Sequence, residues 1–206
     1  MALIISLSFV LPAHDAIAHP HVWVTARSIL LFDNEGNLTE VHHYWTFDKA
    51  YSAYITTGLD TNRDGILSEE ELAPLAEENT VSLVDFGYFT KLKIKGKDQK
   101  FNPPKNYKMM MQDGQLVQYF ELPLAVPAPA PKIIGFEAYD ESFFVSFSLE
   151  NTDKAVTLTG PIKGCTITIS RPKQEDIDAL SKYSEDYFAN AGMGAQFSNK
   201  AVIACP

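Results

Sequence analysis

The sequence lacks the local signatures of the common hydrolytic and nucleotide-dependent enzymes. It has no G-x-S-x-G elbow, no phosphate-binding loop and no H-E-x-x-H pair, which removes serine-nucleophile, phosphoryl-transfer and zinc-protease chemistry in their usual forms. Basic residues are outnumbered, 17 to 26, for a formal net charge of −9. That balance disfavours nucleic acid and anionic lipid and favours cations. Histidine is scarce, with five residues and none after His43. Cysteine is scarcer: Cys165 and Cys205 are the whole complement. No internal repeat is visible. One long apolar run exists, "LIISLSFVLP" at 3–12, and it is too short to span a bilayer as a helix, so no stable membrane insertion is expected.

What is present begins with that run. It leads to Ala16-Ile17-Ala18, the small-x-small pattern that a signal peptidase accepts. No Lys or Arg precedes it, which departs from the usual leader, and a buried N-terminal strand is the alternative. The polar His14-Asp15 before the pattern fits a leader better than a core. The reading is an exported, periplasmic protein cut after Ala18, with His19 as its new N-terminus. In that compartment an even pair of cysteines reads as a disulfide, Cys165 to Cys205. Closing a loop of that length stabilises a fold by roughly 3 to 4 kcal/mol.

Hydropathy patterning predicts an α+β protein that is mostly β, with antiparallel, sandwich-like sheets. Residues 21–32 alternate, with Val22, Val24, Ala26, Leu30 and Phe32 on one face. "DNEGN" at 33–37 reads as a hairpin turn and "LTEVHHYWTF" as the returning strand. Residues 48–57 look helical up to Gly58. A second helix is expected from about Ser68 to Phe86, kinked or delayed by Pro74. Strands are expected at 88–95, 106–111 and 115–122. "LPLAVPAPAPK" at 122–132 reads as a polyproline connector. It separates a hairpin plus helix–loop–helix unit, 19–125, from a β-rich unit, 132–206. The latter carries strands near 132–139, 142–149, 155–159, 165–170 and 201–205, and a helix bearing Ile177, Leu180 and Tyr187.

The sharpest motif is "DTNRDGILSEEE", residues 60–71. A twelve-residue EF-hand loop presents hard oxygens to calcium at fixed positions. Asp60, Asn62 and Asp64 supply side-chain oxygens, Gly65 permits the turn, and Ile66 offers its carbonyl. Ser68 sits where a ligand often acts through water, and Glu71 closes the site with both oxygens. Leu67 takes the position that packs inward. Ser68 and Glu71 also spell a helix capping box, which is the alternative reading. A lone loop with three charged ligands suits a structural staple of moderate affinity rather than a switch.

His19 and His21 form the second candidate. After cleavage His19 offers an amine and an imidazole, and His21 lies two residues on along the same face. Neutral imidazole suits zinc, copper, nickel or cobalt. Pro20 has no N–H, which excludes the copper or nickel site made from deprotonated amides. A three-residue turn with Asp33 opposite Asn37 pairs Arg27 with His43 and Val22 with Asp48, so Asp48 is the expected third ligand. His42 and His43 point to opposite faces; His42 is a weak candidate, and His43 is expected to be a strand histidine against Arg27 and Trp45. "MMM" at 109–111 reads as packing, and Asp140-Glu141 as a turn first and a ligand source second. A copper enzyme with an N-terminal histidine brace would need a second, distant histidine that the chain lacks.

Together "HPHVWV", "HHYWTFDKAYS", "LDTNRDGILSEEELAPLAEEN", "YDESFFVSF" and "GAQFSNKAVIACP" resemble the bacterial domain-of-unknown-function family 1007. The likeness covers nearly the whole mature chain and both cysteines. It implies a periplasmic component of an ABC-type transport system, linked to divalent metals through nickel/cobalt-type permeases. His19, His21, His43 and the calcium loop match the family pattern, and His42 does not. The His-Pro start is also similar, over a shorter stretch, to periplasmic copper-resistance β-sandwich proteins. The expected function is non-enzymatic: binding or delivering zinc, copper, nickel or cobalt for a membrane transporter, with a structural Ca2+. The other readings are a calcium-stabilised module with incidental histidines, and a copper redox enzyme.

Overall fold

A computed structural model describes residues 20–179 and 193–206. The expected leader, His19, Leu180 and Tyr187 lie outside these residues. The protein is mostly β, with two sheets sharing one hydrophobic core. No helix among the described residues is long and apolar enough to cross a membrane.

Alternation builds the first hairpin. β1 (Val22–Phe32) buries Val22, Val24, Ala26, Leu30 and Phe32, together with Ser28. The turn is held by Asp33, whose carboxylate accepts the N–H groups of Glu35 and Asn37 at 3.0 and 2.8 Å. β2 (Leu38–Phe47) then returns, with Phe32 facing Leu38. Beyond that pair the ladder slips by one, so that Leu31 faces Glu40 and Thr39 is left over. The register expected from the turn is corrected accordingly: His43 faces Ser28, and Arg27 faces Tyr44. The cause lies in the apolar pattern. Leu38 and Val41 are three residues apart and cannot both point inward from a regular strand. One extra residue, a β-bulge, lets both be buried. From there Val41, His43, Trp45 and Phe47 face the core, while Glu40, His42 and Tyr44 lie on the outer face.

The remaining elements are α1 (Lys49–Ile55), α2 (Glu69–Ser82), 3-10 turns over Leu83–Phe89, β3 (Thr90–Ile94), β4 (Lys97–Asp98), β5 (Lys105–Gln112) and β6 (Gln115–Ala128). They are followed by β7 (Ile133–Ala138), β8 (Val145–Leu149), β9 (Val156–Thr159), β10 (Thr166–Ser170), α3 (Gln174–Ala179), a 3-10 turn over Met193–Phe197 and β11 (Asn199–Ala204). The first sheet has the order β5-β6-β2-β1-β8, with β9 also on β1, and the second has β10-β11-β7-β3-β4. The first sheet is mixed rather than antiparallel, because β8 and β9 join β1 in parallel. The chain reaches β8 from β7 in the other sheet instead of through a hairpin, which permits that direction. β1, eleven residues long, has room for two short partners end to end.

Residues 122–132 are not a polyproline connector along their length. β6 continues to Ala128, with Leu122 facing Val41, Pro123 facing Glu40 and Ala128 facing Leu38. Leu122 and Leu124 are buried alternately, and that burial overrides the proline content. The prolines fall where β2 bulges, a place where a ladder tolerates a missing N–H. Each sheet takes strands from both sides of this segment. α2 likewise starts at Glu69 and runs through Pro74, which forfeits the bond to the Glu70 carbonyl. A complete capping box and the burial of Leu72 and Ala76 hold the helix on either side of that gap.

One polar group sits at the centre of the core. His43 is fully buried, stacked on Phe120 at 4.8 Å and edge-on to Trp45 at 5.5 Å. The Thr90 hydroxyl donates to the Tyr88 carbonyl at 2.8 Å, so it must accept from His43 Nε2–H at 3.2 Å. That leaves His43 Nδ1 to accept from the Ser28 hydroxyl at 3.1 Å. The chain of bonds joins the two sheets and anchors Gly87, Tyr88 and Phe89, all three with positive φ. Burial drives the His43 pKa down to about 3, so the ring is neutral. The Cys165–Cys205 disulfide is formed and ties β10 to β11 at the edge of the second sheet.

Candidate metal centres

Residues 60–71 follow α1 and run into the first turn of α2, and both helices are docked on the first sheet. Ser52 of α1 accepts the Leu116 N–H at 2.9 Å. From α2, Thr80 accepts from Gln118 at 2.9 Å and Asn79 donates to Gln118 at 3.0 Å. Inside the loop, Asp60 accepts the N–H groups of Asp64 and Gly65 at 3.2 and 3.0 Å. Asp64 accepts from Ile66 at 2.8 Å, and Asn62 Oδ1 accepts from Asp64 at 2.8 Å. Glu71 accepts from Thr61 through one oxygen, at 2.8 Å, and from Ser68 through the other, at 3.1 Å. These bonds pull the Glu71 pKa down to about 2, so it is ionised throughout the neutral range. Gly65 has φ +82°, a conformation that side chains rarely adopt. Leu67 packs against the core.

The donor chemistry fits calcium. Each oxygen of Asp60 and Asp64 accepts one bond and keeps a second lone pair for a hard cation. Glu71 instead accepts from Thr61 and Asn62 on one oxygen and from Ser68 on the other, so some of those bonds must yield for it to close the site. Asp60, Asn62, Asp64, the Ile66 carbonyl and Glu71 would hold the ion, with Ser68 acting through water. The capping box is also real, with both reciprocal bonds between Ser68 and Glu71 in place.

The N-terminal candidates are arranged differently. His19 lies outside the described residues. His21 is exposed just before β1, with its ring 4.8 Å from that of Phe144. Asp48 is near that end of the hairpin, as expected, but its carboxylate holds the backbone. One oxygen caps α1 at Tyr51 N–H, 2.9 Å away, and the other accepts Trp23 N–H at 3.1 Å. Met109 is packed in the core, and Asp140 is buried, accepting from Ser142 and Val145 within its turn.

The structure gathers a third set of donors on residues that sequence reasoning set aside. Among the described residues, Glu40, His42 and Glu121 bring one ligand atom each to within 4.8 Å of one another. His42 faces Glu121 across the β2–β6 ladder, and Tyr44 faces Tyr119. His42 Nε2 lies 3.0 Å from Glu40 Oε2, and its Nδ1 lies 3.3 Å from the Tyr119 hydroxyl. That hydroxyl donates to Glu121 Oε1 at 2.8 Å. From β5, Lys105 donates to Glu40 at 2.7 Å and Asn106 to Glu121 at 2.8 Å. Burial alone would raise the Glu40 pKa, but the bonds from Lys105 and His42 outweigh it and lower it. Burial and the Glu121 carboxylate push the Tyr119 phenol up, which keeps it a donor. The available signal was Glu-x-His on one strand and Tyr-x-Glu on another, each putting both groups on one face. Only the ladder register joins the two pairs.

A relative described as an uncharacterized protein, from Haemophilus influenzae, is 25% identical over 200 residues, covering 92% of each chain. The family described as "Protein of unknown function (DUF1007)" matches residues 4–205, and the chain belongs to that family.

Proposed function

We propose that this chain is an exported, periplasmic metal-binding accessory protein with a structural calcium site. In this reading it binds a transition metal (zinc, copper, nickel or cobalt) and delivers it to a membrane transporter. The observation that carries the reading is the loop at 60–71, where every calcium position holds a suitable oxygen and two helices fasten the loop to the sheet. The formed disulfide suits an oxidising compartment. His21, exposed at the start of β1, supports a site shared with His19 and its amine after cleavage. The role is binding, not catalysis.

A second reading, a calcium-stabilised module with no transition-metal role, draws on Asp48, whose carboxylate caps a helix. One set of measurements on the mature chain separates the two. Calcium should raise Tm with the logarithm of its concentration, the stability gain reaching about 2.7 kcal/mol at a hundred times Kd. Asp60→Asn and Glu71→Gln should each abolish that gain; Gln keeps the capping box, so its loss reports the ion. An unmoved wild-type melting curve in calcium refutes the calcium site. Zinc uptake weakened by one added residue before His19 supports the delivery reading, and no zinc uptake refutes it.

A further inference from the structure

We infer that the outer face of the first sheet carries a transition-metal site of its own, with Glu40, His42 and Glu121 as its ligands. The inference rests on the reading above, that this protein binds divalent metal, and names a place for it. One imidazole and two carboxylates suit zinc or a neighbouring divalent ion, with water as the fourth ligand.

Geometry is the first argument. Bonds of about 2.1 Å at tetrahedral angles put donor atoms about 3.4 Å apart. His42 Nε2 and Glu40 Oε2 are already at 3.0 Å, and the whole triad lies within 4.8 Å. Side-chain adjustments of about 1 Å would complete the site. The ligands stand on paired strands rather than a loop, and their side chains are only 15 to 17% exposed.

Proton counting is the second. The Tyr119 hydroxyl has one proton and two neighbours, Glu121 at 2.8 Å and His42 Nδ1 at 3.3 Å. If it donates to Glu121, His42 can complete the network only by donating from Nδ1. Nε2 is the nitrogen beside Glu40 and, before a metal arrives, donates its own proton there; a ring that also donates from Nδ1 can give up that Nε2 proton to an arriving cation. A cation at Nε2 would therefore satisfy every partner. Nδ1–H donates to Tyr119, and Tyr119 donates to Glu121, the outer-shell arrangement that orients a metal-bound histidine.

The third argument concerns Lys105. Its ammonium lies 2.7 Å from Glu40 and 4.0 Å from Glu121, so it supplies the positive charge these carboxylates need. It is 49% exposed and reaches the site from a stretch of β5 where the register shifts and Asn106 has positive φ. A lysine so placed is a tethered cation that an arriving metal displaces into solvent. Its removal should strengthen metal binding, the opposite of losing a ligand.

The test is calorimetric titration of the mature protein with Zn2+, in calcium sufficient to fill the 60–71 loop. Wild type should bind one equivalent at this site. His42→Gln and Glu121→Gln should each weaken it by a hundredfold or more, and Tyr119→Phe by about tenfold. Lys105→Ala should tighten it by about tenfold, a gain that misfolding cannot mimic. His21→Ala should leave this equivalent in place. If His42→Gln and Glu121→Gln titrate like wild type, the inference is overturned. If in that case His21→Ala loses zinc, the N-terminal delivery site stands without this one. A wild type that takes up no zinc overturns both.

Discussion

Acidification should unfold this protein partly through His43, and the size of the effect follows from its surroundings. The ring is fully buried between the sheets, and its pKa falls from 6.5 to about 3. A lowered histidine pKa means that the unfolded chain takes up a proton the native state refuses. Stability is therefore complete above the unfolded pKa and declines as pH falls from about 6.5 towards 3. The slope is about 1.4 kcal/mol per pH unit, so lowering the pH from 7 to 5 should remove about 2 kcal/mol. Other groups titrate in the same window, which makes the informative quantity a difference. In His43→Met the ring is replaced by an apolar side chain of similar reach, and the titration disappears. The variant should be less stable at pH 7, because the Ser28 hydroxyl loses its acceptor, a cost of about 1–3 kcal/mol. Its deficit should then shrink by about 2 kcal/mol at pH 5. Urea unfolding of both proteins at pH 7, 6 and 5 measures this directly. Parallel pH profiles, agreeing within about 0.5 kcal/mol over that range, would refute the account of a neutral, sheet-bridging histidine.

The disulfide closes a separation of 40 residues, and its reduction should cost roughly 4 kcal/mol of stability. Mass analysis of the alkylated native protein should find no free thiol, and two labelled cysteines would contradict the bridge. Asp48→Ala removes a helix cap and the acceptor for Trp23 N–H, and should destabilise by about 1–2 kcal/mol in chemical denaturation. Zinc uptake by that variant should match wild type; a loss would restore Asp48 as a ligand.

Much of the framework is legible in local pattern. The buried face of β1 and the bounds of β2 follow from alternation and the Asp33–Asn37 turn, which are short-range signals. The oxygen positions of the 60–71 loop are legible for the same reason. What escapes is decided by partners distant in sequence. Proline content predicts a connector at 122–132, but the burial of Leu122 and Leu124 in the core that the two sheets share is a tertiary effect. His42 reads as weak from sequence because two of its three companions, Glu121 and Tyr119, lie in β6, and no spacing rule connects 42 to 121. Asp48 stands where the sequence places it, at the N-terminal end of the hairpin, and its helix-capping bond is legible only once the start of α1 is known.

The leftover Thr39 makes side-chain orientation on β2 a matter of parity. His42 and His43 are chemically identical neighbours with opposite environments, one beside carboxylates at the surface and the other sealed between aromatic rings. Which is which depends on an odd residue between the turn and the pair. A chain shortened by that residue would have to trade the two histidines' places or expose Val41, Trp45 and Phe47. When relatives are compared, their histidines should be matched by counting outward from the bulge, because counting from the turn assigns the wrong one.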